Sequence, residues 1–224
     1  MVKVIIPEEL LNANEEIAAD NRRLLEDMGV VMVNLTGGQG AGKTSLLEKT
    51  LPLLTDKFSV AVITGDIYAT CDADRITKTG VELVQVNTHE TSCLNAKMIK
   101  NVLDQLHLVE LDLIIVESVG NIFCPTEFDL GDDFKIVISC VAEGMDKTSK
   151  YPMSYRQAYA VVINKTDLLP YTDFNLGSYV EELFKINGDI KVFPVSALKD
   201  EGIEEWSQLI GRMIWKRRRN LTVL

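Results

Sequence analysis

Apolar residues occur mainly in short, nearly continuous runs rich in Val and Ile, a pattern typical of strands buried on both faces of a parallel sheet. The runs lie at residues 30–35, 58–63, 81–86, 111–116, 135–140, 160–163 and 191–195. Between several of them the pattern changes to a helical period, as in Leu94, Met98, Val102 and Leu106. This alternation predicts an α/β fold, with a mostly parallel sheet and helices on both faces.

The N-terminal segment has a pattern of its own, in which apolar pairs recur every seven residues. The pairs are Leu10 and Leu11, Ile17 and Ala18, and Leu24 and Leu25. They predict one amphipathic helix over about residues 7–29. We expect this helix to cover the edge of the sheet, with a dimer contact as the alternative. A chain of 224 residues can bury one sizeable core, so we expect a single domain over residues 1–224.

A glycine-rich segment follows the first predicted strand and precedes a helix, and it matches the P-loop pattern G-x-x-x-x-G-K-[ST]. Its residues are Gly37, Gly38, Gln39, Gly40, Ala41, Gly42, Lys43 and Thr44, followed by Ser45. Backbone N–H groups and a helix N-terminus can together bind phosphate in such a loop. Lys43 would reach the β- and γ-phosphates, and Thr44 would place a hydroxyl at Mg²⁺. The segment predicts a P-loop NTPase.

The base is indicated by the sequence Asn-Lys-Thr-Asp at 164–167, which follows an apolar strand. Asp167 would accept hydrogen bonds from the ring N–H and the exocyclic amine of guanine, a pair that adenine lacks. Lys165 would lie along the base, and Asn164 would hold the loop against the P-loop. Ser196 and Ala197 follow the last strand, and their backbone amides could contact the guanine oxygen. Taken alone, this motif also occurs by chance or as a helix cap.

Acidic residues follow two further strands. Glu117 ends one strand at the Walker B position, and Gly120 just after it could bring its N–H to the γ-phosphate. Asp66 ends another strand and could bind Mg²⁺ directly or through water, with Asp72 on the loop beyond. The alternative role for Asp66 and Asp72 is turn formation and helix capping. The sequence offers no obvious arginine finger, so we expect slow GTP hydrolysis.

Composition restricts the partners and the compartment. The net charge of −10 argues against general nucleic-acid binding, and the basic run at 216–219 is interpreted as a solvated helix end. No apolar stretch is long enough to cross a membrane, and the N-terminus has no signal-peptide pattern. The four cysteines form no C-x-x-C pair. We therefore expect a cytoplasmic protein that binds neither nucleic acid nor membranes.

Several shorter motifs lie in order between the P-loop and the guanine loop. They are Gly65-Asp66, Asp72-Ala73-Asp74-Arg75, Asn87-Thr88, Glu117 to Asn121, Cys124-Pro125, Phe128 to Gly131, Glu143-Gly144 and Lys150-Tyr151-Pro152. With the P-loop and the guanine motif they closely resemble the hydrogenase nickel-incorporation GTPases, the HypB family, over nearly the whole chain. The resemblance implies a SIMIBI-type GTPase, related to signal-recognition and MinD-type proteins, that forms a homodimer on binding GTP. It also implies a maturation partner protein and nickel delivery to nickel–iron hydrogenase.

The sequence departs from the family pattern at the metal site. In that family a nickel or zinc ion at the dimer interface is held by a Cys-His pair and a later Cys before Pro. The later cysteine is present as Cys124, whereas Ser92 and Cys93 replace the pair. Cys93 and Cys124 remain as candidate Ni²⁺ or Zn²⁺ ligands, and two thiolates from each subunit would make a tetrahedral site. Alternatively they are two small buried residues, and metal binding is weakened or lost.

The function that these features predict is a GTPase metallochaperone for hydrogenase maturation. One alternative is a urease-type nickel accessory GTPase, which is disfavoured because Thr126 follows Cys124-Pro125 where that family has His. Another is a regulatory GTPase without metal delivery. A small-molecule kinase is disfavoured by the guanine motif. The resemblance also implies that Lys147 or Lys150 can contact the partner's nucleotide, although a solvated loop lysine is an equal alternative.

Overall fold

The computed structural model describes residues 8–66, 75–88, 93–118, 120 and 128–221. The strands are β1 (Val31–Gly37), β2 (Val60–Asp66), β3 (Glu82–Asn87), β4 (Leu113–Glu117), β5 (Phe134–Cys140), β6 (Ala160–Asn164) and β7 (Lys191–Pro194). The helices are α1 (Glu8–Met28), α2 (Lys43–Thr55), α3 (Ala96–Leu103), α4 (Lys147–Lys150), α5 (Pro152–Gln157), α6 (Leu176–Ile186) and α7 (Ile203–Leu221). Short 3-10 turns lie at Leu108–Glu110, Val141–Glu143 and Thr166–Tyr171.

The strands form one seven-stranded sheet in the order β3-β2-β4-β1-β5-β6-β7, and every adjacent pair is parallel. Each run predicted as a strand forms one, with boundaries that differ by up to three residues. β1 lies at the centre between β4 and β5, so the segment after β1 lies beside the carboxyl ends of both neighbours. In a parallel sheet this edge is where ligands bind.

Both faces of the sheet are covered, as the continuous apolar runs predict. On β1 the side chains of Val31, Val33 and Leu35 pack with α2 and α7 in one buried cluster. Met32, which points the opposite way, packs in a second cluster with residues of α1, α3, β2 and β4. A third cluster joins β5 and β6 to α5 and α6. The α/β prediction is therefore confirmed, with an entirely parallel sheet.

The N-terminal helix forms where it is predicted, but it covers a face of the sheet and not its edge. Leu25 of α1 is 1% exposed and packs in the second cluster, with residues of α3 and of strands β1, β2 and β4. Two buried asparagines hold the helix down. The side-chain N–H₂ of Asn21 donates to the backbone oxygens of Ala96 (2.9 Å) and Leu130 (3.0 Å), and that of Asn14 donates to the Asp129 oxygen (2.7 Å). The apolar period could not reveal this placement because polar residues make these contacts.

Arg22 strengthens the attachment of α1 by an ion pair with Asp129, in which Nη2 lies 2.8 Å from Oδ2. Partial burial is the largest single effect on this carboxyl and opposes its ionisation. The hydrogen bonds from Arg22 and from the Gly131 N–H, together with the charges of Arg22 and Lys135, outweigh the burial, and the pKa of Asp129 is lowered. None of the helices in the described part of the chain is both long and apolar enough to cross a bilayer.

Candidate functional site

The P-loop joins the carboxyl end of β1 to the first residue of α2, as its sequence predicts. Its last glycine, Gly42, has a φ of 92°, a left-handed conformation that favours glycine. A Cβ atom at this position would lie only 2.4 Å from Nδ2 of Asn164. Gly42 therefore permits both the turn into α2 and the close approach of the guanine loop.

Lys43 is buried at 8% exposure, and its ammonium group points back at the loop. Its Nζ donates to the backbone oxygens of Gly37 (3.1 Å) and Gly38 (3.2 Å). These weak carbonyl contacts place the charge within the loop that a triphosphate would enter. Exchange of the carbonyls for phosphate oxygens would strengthen the hydrogen bonds, because phosphate is charged.

Thr44 and Glu117 come together beside the P-loop. The Thr44 hydroxyl donates to Oε1 of Glu117 at 2.8 Å, and both residues are 7% exposed. Glu117 lies at the end of β4, in register with Leu35 of β1. A hydroxyl and a carboxylate are the hard oxygen donors that Mg²⁺ binds, so this pair fits the ion.

The other two acidic residues predicted for this edge are only partly placed. β2 ends at Asp66 and pairs with β4 through Thr64, which is in register with Glu117. The backbone of Asp66 is therefore at the same edge of the sheet, but its side chain is not described. Asp72 lies outside the described residues.

Gly120 packs directly on the P-loop. A Cβ atom at Gly120 would lie 3.1 Å from Cα of Gln39 and 3.3 Å from its nitrogen. Gly120 thus lies against the loop, and a side chain at 120 would push it away. This proximity agrees with a role for Gly120 near the terminal phosphate.

The predicted guanine loop lies against the P-loop through Asn164, which is 1% exposed. Its Nδ2 donates to the backbone oxygens of Ala41 (3.0 Å) and Gly42 (3.4 Å). Its Oδ1 accepts from the backbone N–H of Lys165 (2.7 Å) and of Ala197 (3.2 Å). One side chain thus joins three loops that are far apart in sequence.

The remaining guanine-loop residues surround the same position. The Ser196 hydroxyl donates to Oδ1 of Asp167 at 2.5 Å and orients that carboxylate. Lys165 has a φ of 62°, and its Nζ donates to the backbone oxygen of Gly40 at 2.7 Å, so its stem lies across the P-loop. An open depression runs between these loops and α2. Its walls include Gly42, Ser45, Arg75, Lys165, Ala197 and Leu198.

Lys147 lies beside the P-loop within its own chain. Its Nζ pairs with Oε1 of Glu143 at 3.0 Å, and a Cβ at Gly38 would lie 2.2 Å from that carboxylate oxygen and 3.5 Å from Nζ. Lys150, in contrast, pairs with Asp146 at 2.5 Å, with about 60% of its side chain exposed. Of the two lysines that the resemblance singles out, Lys147 is therefore the one next to the nucleotide site.

The predicted nickel or zinc site is only partly described. Cys93 is disulfide-bonded. Cys124 lies outside the described residues. Within the described ranges, no group of three or more His, Cys, Asp or Glu side chains could hold a metal ion. Because a disulfide sulfur has no thiolate to offer, Cys93 would have to be reduced before it could bind a metal.

Arg75 makes a contact at the site that the sequence does not reveal. Its Nε donates to Oε1 of Glu48 at 2.8 Å, and its Nη2 donates to the Ser45 hydroxyl at 3.0 Å. Ser45 follows the P-loop threonine, so Arg75 is held at the mouth of the depression. Residues 48 and 75 are distant in sequence and share no pattern that could predict the pair.

A chain of buried polar side chains next to the site was also not predicted from the sequence. The Ser118 hydroxyl donates to Oδ1 of Asn34 at 2.7 Å, and Nδ2 of Asn34 lies 3.5 Å from Oδ1 of Asp132. Burial raises the pKa of Asp132. The signal for this set of side chains is present in the sequence, because Asn34 interrupts the otherwise apolar run of β1. These contacts hold Ser118, the residue directly after Glu117, against β1.

Comparison with known proteins agrees with this geometry. Residues 31–194 match the family model described as CobW/HypB/UreG, nucleotide-binding domain. The hydrogenase maturation factor HypB of Azotobacter chroococcum is 42% identical over 216 residues, which are 96% of this chain and 71% of that protein.

Solved structures show the same fold. The structure of HypB from Helicobacter pylori in complex with nickel superposes with a TM-score of 0.84 at 32% identity, covering 93% of this chain and 96% of that one. The signal recognition particle 54 kDa protein of Aeropyrum pernix, in complex with GDP, has a TM-score of 0.58 at 12% identity over 86% of this chain and 49% of that one. The second likeness concerns the fold alone.

Proposed function

The chain belongs to the CobW/HypB/UreG family of nucleotide-binding domains, and we propose from this premise that it is a GTP-hydrolysing metallochaperone that helps insert nickel into nickel–iron hydrogenase. The observation that carries the nucleotide part is the set of Asn164 contacts, which bring the guanine loop onto the P-loop. The relatives that it resembles are maturation factors, and one of them has been solved with nickel.

In this proposal each loop has a defined task toward GTP. Lys43 exchanges its carbonyl partners for the β- and γ-phosphates, and the backbone of residues 37–45 surrounds them. Asp167, oriented by Ser196, accepts hydrogen bonds from guanine, while Ala197 offers its N–H to the guanine oxygen. Lys165 lies along the base.

Hydrolysis depends on the carboxyl edge between β1 and β4. Thr44 and Glu117 would hold Mg²⁺, which supplies charge neutralisation at the phosphates when bound. Gly120 would offer its N–H near the γ-phosphate. Asp66 would bind Mg²⁺ directly or through water, and Asp72 would lie on the loop beyond it. These residues would position the reacting groups and stabilise the charge on the phosphates, which is what phosphoryl transfer requires. None of them would form a covalent bond to the phosphate. We propose slow turnover because Arg75, which lies at the mouth of the depression, is held by Glu48 and Ser45.

Cargo handling is proposed to depend on a homodimer formed when GTP binds, in a cytoplasmic setting and with a hydrogenase maturation partner. Cys93 and Cys124, once reduced, would give two thiolates per subunit for Ni²⁺ or Zn²⁺. The second candidate function is a regulatory GTPase without metal delivery. The replacement of the family's Cys-His pair by Ser92 and Cys93 favours it, because this chain has no histidine ligand at that place.

The test is a titration of the reduced protein with Ni²⁺ and Zn²⁺, with and without a non-hydrolysable GTP analogue, while light scattering reports the oligomeric state. We expect one ion per dimer with the analogue bound, lost in both Cys93→Ala and Cys124→Ala. Cys140→Ala is the matched control, because Cys140 is a free thiol buried in the fold. Dimerisation by GTP with no bound metal would reject metal delivery through this site and leave the regulatory GTPase.

A further inference from the structure

The last turns of α7 expose one side that combines positive charge with a tryptophan. Its residues are Arg212, Trp215, Lys216 and Arg219, which we name the α7 cationic face. Their spacing of three, four and seven residues places them on one side of a helix. Trp215 is 49% exposed. The side chains of Arg212, Lys216 and Arg219 form no ion pair or hydrogen bond with any residue that the structure describes.

The neighbouring cations on α7 already have structural roles. Arg217 forms an ion pair with Asp133, and Arg218 forms one with Asp112. The helix dipole favours basic residues near a C-terminus and accounts for some of this charge. It does not account for a half-exposed tryptophan at the centre of the exposed cations. An exposed indole contributes none of the favourable free energy that its burial would give, so the exposed ring of Trp215 does not stabilise the fold through burial.

Trp215 is held in place although it is exposed. Its ring meets the edge of Phe58 with centroids 5.7 Å apart, and the guanidinium of Arg218 lies 5.2 Å from its centroid. A ring held in this way loses little further conformational freedom when a partner covers it. Trp and Arg are also the residue types that dominate the binding energy of protein interfaces.

The α7 cationic face lies at the end of the sheet opposite the nucleotide. Asp112 and Asp133, which anchor α7, directly precede β4 and β5, and Phe58 precedes β2. The P-loop and the guanine loop follow the carboxyl ends of β1 and β6. A partner on this face would therefore leave the nucleotide edge open, including any dimer contact made across it.

We propose that the α7 cationic face binds an acidic segment of a partner protein, in which carboxylates surround one apolar side chain. Three exposed cations on a chain of net charge −10 form a local positive region that complements such a segment. The apolar side chain would pack on Trp215. An anionic bilayer is disfavoured, because membrane-binding basic clusters have about four to eight cations and the rest of this chain would be repelled. The inference is independent of the metal-delivery proposal.

The test measures binding of the full chain to a short fluorescein-labelled peptide rich in Glu and Leu, by anisotropy. The triple variant Arg212→Gln, Lys216→Gln and Arg219→Gln should bind at least about ten-fold more weakly. The control variant removes the same charge from exposed lysines elsewhere, with Lys97→Gln, Lys100→Gln and Lys185→Gln, and should bind like the parent. Affinity should fall as salt rises.

Trp215→Ala tests the apolar part separately, and Trp215→Phe, which keeps an aromatic ring, should restore most of the affinity. GTP hydrolysis should be unchanged in the triple variant, and the melting temperature should fall only slightly, through the lost complement to the helix dipole. A failure here is therefore distinguishable from failure of the nucleotide site. Equal binding by the triple variant and the control would overturn the proposal. Equal binding of a peptide in which Lys replaces Glu would do the same, as would binding to phosphatidylglycerol vesicles but not to the acidic peptide.

Discussion

Replacement of Asn164 by Ala is expected to uncouple the guanine loop from the P-loop. The change removes contacts to the backbone oxygen of Ala41 and to the N–H groups of Lys165 and Ala197. Each such hydrogen bond contributes about 1 kcal/mol net, and a buried group left without a partner costs about 1–3 kcal/mol. Since Asn164 is 1% exposed, water cannot replace these contacts well. We expect the free energy of unfolding to fall by about 2–3 kcal/mol.

The same contacts position Asp167 relative to the phosphate loop, so GTP affinity should fall with stability. A loss of the same size, about 2–3 kcal/mol, from the free energy of GTP binding would weaken binding roughly 30- to 150-fold. Urea denaturation measures the stability, and titration with a fluorescent GTP analogue measures the affinity. Asn164→Asp keeps the acceptor but not the donor, and should retain part of both.

A matched control is Asn175→Ala, which removes the N-cap of α6, whose side chain accepts from the N–H of Ser178. It should cost about 1 kcal/mol of stability without changing GTP affinity. If Asn164→Ala lowers stability as expected but binds GTP within about three-fold of the parent, Asn164 does not position the guanine loop. The reasoning from its contacts would then be refuted.

Three further predictions concern separate parts of the molecule. Glu117→Gln should lower GTP turnover by about 100-fold in a phosphate-release assay, because it weakens the oxygen pair that fits Mg²⁺; a change under about three-fold would contradict that role. Asp129→Asn should destabilise the fold at pH 7. Because the pKa of Asp129 is lowered, its pair with Arg22 stabilises the fold fully above the ordinary pKa of a carboxyl, and this stabilisation is lost as the pH falls through the lowered pKa. The urea midpoints of variant and parent should therefore converge in acid and stay apart at pH 9. Tyr155→Phe removes the closest hydrogen-bond partner of the Ser139 hydroxyl (2.7 Å) and should cost about 1–2 kcal/mol of stability, with GTP hydrolysis unchanged as the check on a purely structural role.

The nucleotide site was largely predictable because its parts are short and local. The P-loop depends on a few consecutive residues whose backbone conformation the glycines permit, and it begins where β1 ends. The guanine loop is a similar motif at the end of β6. Parallel strands bring both motifs to one edge, so their meeting through Asn164 follows from the order of the elements.

Other features of the site could not be predicted, because they depend on contacts between distant residues with no repeating pattern. The pairing of Arg75 with Glu48 joins a segment after β2 to α2. Glu143 and Lys147 reach Gly38 because a turn after β5 passes beside the P-loop. The state of Cys93 likewise depends on which cysteine the fold brings near it.

The sequence by itself determined the α/β class, the strands and the nucleotide motifs, because local periodicity and loop composition decide these. Only the tertiary structure decided that α1 covers a face of the sheet, since Asn14 and Asn21 interrupt its apolar stripe and bond to backbone far along the chain. It also decided which cations of the basic run at 216–219 are paired. Arg218 pairs with Asp112 and Arg217 pairs with Asp133. The other two cations of the run, Lys216 and Arg219, are exposed beside Trp215. In each case the deciding contacts join residues that the chain order separates and the packing brings together.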